Sequence, residues 1–326
     1  MNLKTKFYTL LKWLGVCLAL GIFCGVLGAA FGHTISFVTN LRNSNGWLIL
    51  LLPLAALVSV FVFKVLKVDS MGTNQVLKSA GSDNCLSPLL APAIFLGSVI
   101  SHLFGASVGR EGAALQLGGS LATALAKFFK LNDENRRLLV YCGMAALFSA
   151  VFGTPIAAFL FAIEVVYVGK IKFKAILPAA LTSFLAFAVS SGLKTHPERF
   201  DLTIIPKFSL FILFKTAMIA ILAGLVGIVF CFSLAYGKKY AKKIIKNDYL
   251  RIATGGAVIV IITVFVGNQT YNGAGVPFIE SIFENETVIN EAFILKMLLT
   301  VIAVSVGFKG GEIVPTLFIG AAFGSA

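Results

Sequence analysis

The sequence predicts an all-α polytopic membrane protein made of broken and half-spanning helices, and three observations predict it. The chain of 326 residues is 58% apolar and only 13% charged, about half the charged share of a soluble domain. Apolar runs of about 20 residues, enough to cross a hydrocarbon core of roughly 30 Å, recur along its length. Between them lie glycine-rich breaks at Met71-Gly72, Gly109–Gly112, Gly153-Thr154-Pro155, Gly273–Pro277 and Gly307–Gly311. Irregular backbone survives at membrane depth only where it is buried in protein or lines a polar cavity.

Taken in order, the first apolar span covers about Trp13–Val38 and follows Lys4, Lys6 and Lys12. Its start resembles a signal peptide, but it is too long and lacks a small-residue cleavage pattern, so it reads as a retained helix. Gly21, Gly25, Gly28 and Gly32 share one helical face, a stripe suited to close approach of a neighbouring helix. A second span covers Trp47–Leu66, with further apolar segments near Pro88–Phe104, Ala113–Phe129, Leu138–Ser149 and Pro155–Val168. Ile176–Ser191, Phe208–Tyr236, Ile252–Val266, Phe293–Val306 and Ile313 to the end complete the set.

The formal net charge is +13. The basic residues sit between apolar spans, where they read as juxtamembrane anchors against anionic lipid. No basic stripe interleaved with exposed aromatics suggests nucleic-acid binding. Lysines concentrate in Gly169–Lys174 and Gly237–Lys246, whereas 192–207 carries Glu198 and Asp201. The positive-inside rule therefore expects a cytoplasmic N-terminus and an outward 192–207 loop. The second half then starts outside, as an inverted repeat requires. The expected domains are a first repeat over 1–192 and a second over 207–326. Cys17, Cys24, Cys85, Cys142 and Cys231 form no CxxC pair, and His33, His102 and His196 have no ligand spacing; neither a metal nor a cofactor is expected. A membrane enzyme would need a nucleophile and base or a His, Cys or Asp cluster at membrane depth, and none is visible.

Two motifs carry chemistry. In Val108-Gly109-Arg110-Glu111-Gly112-Ala113-Ala114-Leu115-Gln116 a charged pair lies between apolar half-spans, where an ionisable residue is expensive unless functional or partnered. The glycines let the backbone turn and open a helix at Ala113. Its free N–H groups and positive dipole end suit an anion. A carboxylate in the same place competes with that anion. In Gly307-Phe308-Lys309-Gly310-Gly311-Glu312-Ile313-Val314-Pro315 glycines again precede a helix start, with Pro315 in the tolerated first turn. Two such N-termini can converge on one dehydrated anion, although either motif alone is also compatible with glycine packing.

With these residues in view, the chain resembles the CLC family of anion channels and antiporters. GREGAALQLGG is similar to that family's GREGP-type motif, and GFKGGEIVPTLFIGA to its GGxFxP segment. GTPIAAFLFAIE (Gly153–Glu164) resembles the segment preceding its dimer-interface helices. The resemblance implies the CLC fold of inverted repeats, a homodimer in a plasma membrane, and small inorganic anions and protons as substrates. It implies that Glu111 is the gating glutamate. Backbone groups of Gly109, Gly112 and Ala113, and of Ile313 and Val314, are expected to line the anion sites. Arg110 matches a motif position but reads as structural.

The family's first anion motif is a GSGIP-like turn, matched here by Ser70-Met71-Gly72-Thr73-Asn74. Met71 stands in the serine's place and, with Gly72, completes the expected anion-binding set. A methionine there, Glu312 in a GGE segment, Val165 after Glu164 and YNGAGVPFIES from Tyr271 all resemble the fluoride/proton antiporter branch. Glu312 is thus a second expected proton-coupling acid. The competing readings are a chloride channel or chloride/proton antiporter and a non-transporting fragment. Ala113 replaces the motif's proline or threonine, and Val314 replaces a threonine of the fluoride branch. Met71 is also compatible with simple packing, Glu164 with a helix-end acid, and Glu312 with a pair to Lys309. Because complete relatives continue past GGEIVP, the second repeat is expected to be incomplete.

Overall fold

In the computed structural model the described residues are 3–68, 71–82, 85–167, 169–195, 207–284 and 291–326, with side chains from residue 11 onward. Ser70, His196, Glu198 and Asp201 lie outside them. The described residues are 80% helical. Thirteen α-helices follow in order: α1 Leu3–Ser44, α2 Leu52–Val65, α3 Thr73–Gly81, α4 Leu90–Leu103, α5 Glu111–Phe128, α6 Asp133–Phe152 and α7 Pro155–Glu164, then α8 Phe173–Gly192, α9 Leu210–Ile244, α10 Asp248–Val266, α11 Val276–Phe283, α12 Ala292–Val306 and α13 Ile313–Ser325. Among the described residues, five helical stretches are long and apolar enough to cross a membrane, and four apolar helices are shorter. The protein is a multi-pass integral membrane protein.

The chain forms two compact units that do not follow its two contiguous halves. The first comprises Met1–Phe37, Val62–Leu96 and Gly112–Glu198; the second comprises Val38–Phe61, Gly97–Glu111 and Arg199–Ala326. The units describe packing, whereas the repeat boundaries expected above describe sequence halves.

In the first unit, small residues let helices approach closely. The glycine stripe of α1 does what its spacing suggests: Gly21 faces Leu185, Gly25 faces Val189, and Gly28 faces Ala150, with no room for a Cβ at any of the three. Gly118 of α5 and Gly143 of α6 meet the same way, each lying against the other's carbonyl. Hydroxyls then satisfy carbonyls across the helices. Ser149 Oγ donates to Ser183 O at 2.9 Å and Ser183 Oγ to Pro155 O at 2.9 Å. Asn132 caps α6 by accepting from Asn135 N, and Gly153 ends it in the left-handed region at φ +69°, a conformation open to glycine at little cost.

The second unit has an apolar cluster of Phe230, Leu234 and Ile319 with Met297 and Val301 packed against it. Gly255 of α10 lies against Val306 of α12 with no space for a side chain. Ser209 caps α9 and Asn247 caps α10. Much of the rest of α9 is exposed and apolar, including Phe211, Leu213, Ile221 and Phe232, the composition of a lipid-facing surface.

Several boundaries differ from the expectations. The second span is not one helix: Gly46–Leu51 is a 3-10 turn feeding α2, which has Pro53 in its first turn, where its missing N–H costs nothing. The glycine break at 273–277 ends in α11, with Pro277 again near the helix start. The segment after Met71-Gly72 is the short polar helix α3, too weakly apolar to read as a span. Helix α5 opens at Glu111, not Ala113, so the acid is part of the helix's first turn.

Candidate anion and proton site

The site lies in the second unit, where two loops meet. The first leaves α4 through Gly105 at φ +80° and runs to Glu111. The second leaves α12 through Gly307 at φ +113° and runs to Ile313. Gly109 N donates to Gly311 O at 2.7 Å, and Gly311 N donates to Gly109 O at 2.8 Å. This reciprocal pair is an isolated antiparallel bridge. A second clamp lies nearby, where the Ser107 and Thr300 hydroxyls are 3.0 Å apart.

Glu111 is the central finding. It is 1% exposed, and its Oε1 accepts the Val314 N–H at 2.8 Å. The carboxylate of the residue that opens α5 is thus bound at the N-terminus of α13. It uses one of the N–H groups that a helix leaves unpaired and sits where a helix end favours negative charge. The glycines make this possible. A Cβ on Gly109 would fall on the Glu111 carboxylate, and one on Gly310 would fall on Val108 and the Gly109 carbonyl. At Gly310 the neighbours are a branched side chain and backbone, which cannot give way, whereas at Gly109 the glycine leaves the carboxylate in place without displacing it.

The other expected residues divide by position. Gly112 and Ala113 lie in the buried first turn of α5, where N–H groups have no intrahelical acceptor. Ile313 and Val314 open α13, Ile313 partly exposed at 36% and Val314 buried. Gly109 is different, because its N–H is spent on Gly311 and its place in the site is to make room for the carboxylate. Arg110 is buried. Glu312 occupies the N-cap position of α13 with its side chain exposed; its carbonyl accepts from Thr316 N at 2.9 Å and Oγ1 at 2.6 Å. Glu164 is the exposed last residue of α7. Met71 and Gly72 belong to the first unit, immediately before α3, with Gly72 in extended backbone at its N-cap.

The sequence reading missed Lys296. It is fully buried in α12; its Nζ donates to Tyr271 O at 3.1 Å and Gly273 O at 2.7 Å. It also lies 5.0 Å from the Phe318 ring centroid. Phe318 of α13 stacks on Phe278 at 4.3 Å, so this lysine ties the turn before α11 to the helix that holds Glu111. Its signal was present: it is the one charged residue in the apolar run Phe293–Val306, and an ionisable residue in such a run is a functional candidate by default. Asn272, which donates to Gly105 O at 2.9 Å, and Arg42, whose Nη1 donates to His102 O at 3.2 Å, brace the same turn and loop.

Broken membrane helices, with one helix N-terminus holding the acid that opens another, define a membrane protein of the ion-transport type. Residues 54–326 match the family described as voltage gated chloride channel, and the chain belongs to this CLC family. It is 31% identical to a chloride/fluoride channel protein of Pseudomonas syringae pv. tomato over 323 residues, 97% of this chain and 71% of that protein. It is 26% identical to an H(+)/Cl(-) exchange transporter ClcA of Cronobacter sakazakii, over 94% of this chain and 70% of that protein. Among solved structures, a CLC-type fluoride/proton antiporter superposes with a TM-score of 0.92 at 31% identity, covering 98% of this chain and 81% of that one. A slow cyanobacterial Cl-/H+ antiporter has a TM-score of 0.83 at 21% identity over 94% and 77%, a likeness of fold.

Proposed function

We propose that this CLC protein exchanges fluoride for protons across a cell membrane, with Glu111 as the group that couples them. The observation that carries the proposal is the Glu111 carboxylate bound to the Val314 N–H. A carboxylate and a small anion have the same charge and seek the same donors, so the site holds one or the other. Protonation removes the carboxylate's attraction for the N–H and frees the place for an anion. Release of the proton returns the carboxylate and expels the anion. One negative charge at a time in one cradle links the two movements. By likeness to the family, the anion-binding residues are Gly112, Ala113, Ile313 and Val314 through their first-turn N–H groups, with Met71 and Gly72 before α3, and Glu312 is an accessible second acid.

Fluoride rather than chloride is supported by the likeness to the fluoride/proton antiporter at 31% identity and by Met71 in place of a hydroxyl residue; the Pseudomonas relative is named for both anions. The N-terminus is cytoplasmic and the membrane is the plasma membrane, in keeping with the lysines of 169–174 and 237–246. The working form is a homodimer, by likeness to the family.

The test is flux from proteoliposomes with paired pH recording. An outward fluoride gradient should drive proton uptake, chloride should substitute poorly, and Met71→Ser should erode the preference. Equal fluoride and chloride fluxes would instead support the chloride/proton reading.

A further inference from the structure

Lys296 donates to Tyr271 O and Gly273 O and has the Phe318 ring on a third side. Gly275, at φ +86°, lets the turn close over it: a Cβ there would lie 3.2 Å from Lys296 Nζ. A neutral amide can serve two carbonyls, so these contacts alone do not account for a full charge buried at such cost. The rest of its surroundings do. Thr300, one turn further along α12, meets Ser107 of the Glu111 loop at 3.0 Å. Phe318 lies one turn past Val314, whose N–H holds the Glu111 carboxylate. Lys296 is thus flanked by both elements that meet at Glu111, and the ammonium and carboxylate are within electrostatic reach of each other. All of these groups belong to the second unit. The charges buried there are unbalanced. Arg251 pairs with Asp248, but Arg42, Arg110 and Lys296 face one buried acid, since Glu111 is the only one among the described residues. His102 of α4 is within reach of the same three cations; in the second loop Lys309 is half-buried and Glu312 exposed. When Glu111 takes up a proton, this interior loses its one negative charge and keeps its cations.

Resting on the coupling role of Glu111 and deepening it, we propose that Lys296 is a positioning residue whose fixed charge keeps the cradle filled by one negative charge, first the ionised Glu111 carboxylate and, once that is protonated, the anion that replaces it. It acts through its field and does not touch the anion. Burial makes that field stronger than it would be in water. A point charge attracts either occupant, and either halide, by the same rule. Lys296 therefore sets how firmly the cradle is held, while the choice between fluoride and chloride is made elsewhere.

The test uses the full chain in proteoliposomes, with sodium fluoride and sodium chloride as probes and flux measured against concentration and pH. Lys296→Gln keeps a donor for the turn carbonyls and removes the charge. A nearby cation favours an ionised carboxylate, so without it Glu111 keeps its proton to higher pH, and the pH profile of fluoride-driven proton movement should move up by about one unit. In a Glu111→Gln background the same substitution should leave the pH profile of flux in place. There it should raise the fluoride KM roughly 10-fold, the equivalent of one unit, and the chloride KM by the same factor. Lys296→Arg keeps the charge and should stay within about half a unit of the wild-type profile. Slower turnover with an unmoved pH profile and an unmoved fluoride KM in Lys296→Gln overturns the proposal, because a purely structural lysine would do that. Should Lys296→Gln not fold, Lys296→Arg decides: a profile displaced by about a full unit with the charge retained also overturns it. Wild-type protein that fails to couple fluoride to protons overturns the underlying transport reading; coupled wild type with an unaffected Lys296→Gln overturns only the role of Lys296.

Discussion

The loops from Gly105 to Glu111 and from Gly307 to Ile313 are built to the same plan. Each leaves an apolar helix through a glycine at positive φ, crosses its partner through a glycine of the Gly109–Gly311 bridge, and ends in a helix with an acid at or beside its first residue. They differ in the register of that acid. Glu111 is the first residue of α5 and is buried against the other loop, with its carboxylate on Val314 N. Glu312 stands one residue before α13, with its side chain exposed. A shift of one position at a helix start turns the side chain by roughly 100°. That is enough to send one acid inward and the other outward. Glycine-plus-acid wording alone therefore does not bury an acid; position relative to the helix start does.

The sharpest way to break this comparison is Glu111→Gln. Glutamine keeps the size and can still accept the Val314 N–H, but it cannot release a proton. Fluoride-driven proton movement should disappear, a loss beyond the ~10²-fold that a positioned proton carrier typically contributes, while fluoride still passes. Proton pumping that survives in this variant would remove Glu111 from the coupling step.

Gly109→Ala should come next in effect. It leaves the acid intact but places a methyl where the carboxylate sits. The expected phenotype is partial uncoupling with a fluoride leak, at a stability cost of about 1–3 kcal/mol for the overpacking. Wild-type coupling in a well-folded Gly109→Ala protein would mean that the carboxylate does not need the space this glycine clears.

Within the second loop, Gly310 and Gly307 separate crowding from backbone strain. At Gly310 an added Cβ meets Val108 and the Gly109 carbonyl, whereas at Gly307 nothing lies within 4 Å and only the positive φ is strained. Gly310→Ala should therefore lower the melting temperature of the detergent-purified protein more than Gly307→Ala, whose cost is about 1–2 kcal/mol. The reverse order would show that the loops are held by their turns and not by their contact.

These features were not equally legible in the sequence. Of the five glycine breaks, those at Glu111 and Glu312 stood out because each sets an acid between apolar runs, and the α1 stripe followed from a spacing of four, three and four. Periodicity carries no such information for contacts between distant segments. Gln116 was visible only as part of a motif, since its partner Thr73 lies 43 residues away. Lys296 needed the turn at Tyr271–Gly273 to explain its burial. Helices α1 and α9 are both long and strongly apolar, yet Gly25 packs on Val189 while Gly224 and Gly227 meet nothing within 4 Å. Hydropathy reports affinity for an apolar medium, and both lipid and protein are apolar. Helix α3 escaped notice because it is short and polar, and its place comes from packing on α5 and α6.

The mildest change should come from Glu312→Gln, and it sharpens the contrast between the two acids. Glu312 is expected to carry protons, yet its carboxyl is exposed and the α13 backbone does not depend on it. The N-cap carbonyl, not the side chain, accepts from Thr316. An exposed carrier can be replaced by water, whereas a buried one cannot. Glu312→Gln should therefore slow coupled turnover by less than the ~10²-fold of a positioned proton donor and leave the ratio of protons to fluoride unchanged. Removing the negative charge from the start of α13 should also lower the fluoride KM slightly, because a like charge beside an anion site is unfavourable. Measuring initial rates and the exchange ratio together in proteoliposomes distinguishes the cases. A changed ratio with Glu111 intact would make Glu312 a second obligatory coupling group, and the one-residue difference in register would then separate two proton sites instead of a gate from an accessory acid.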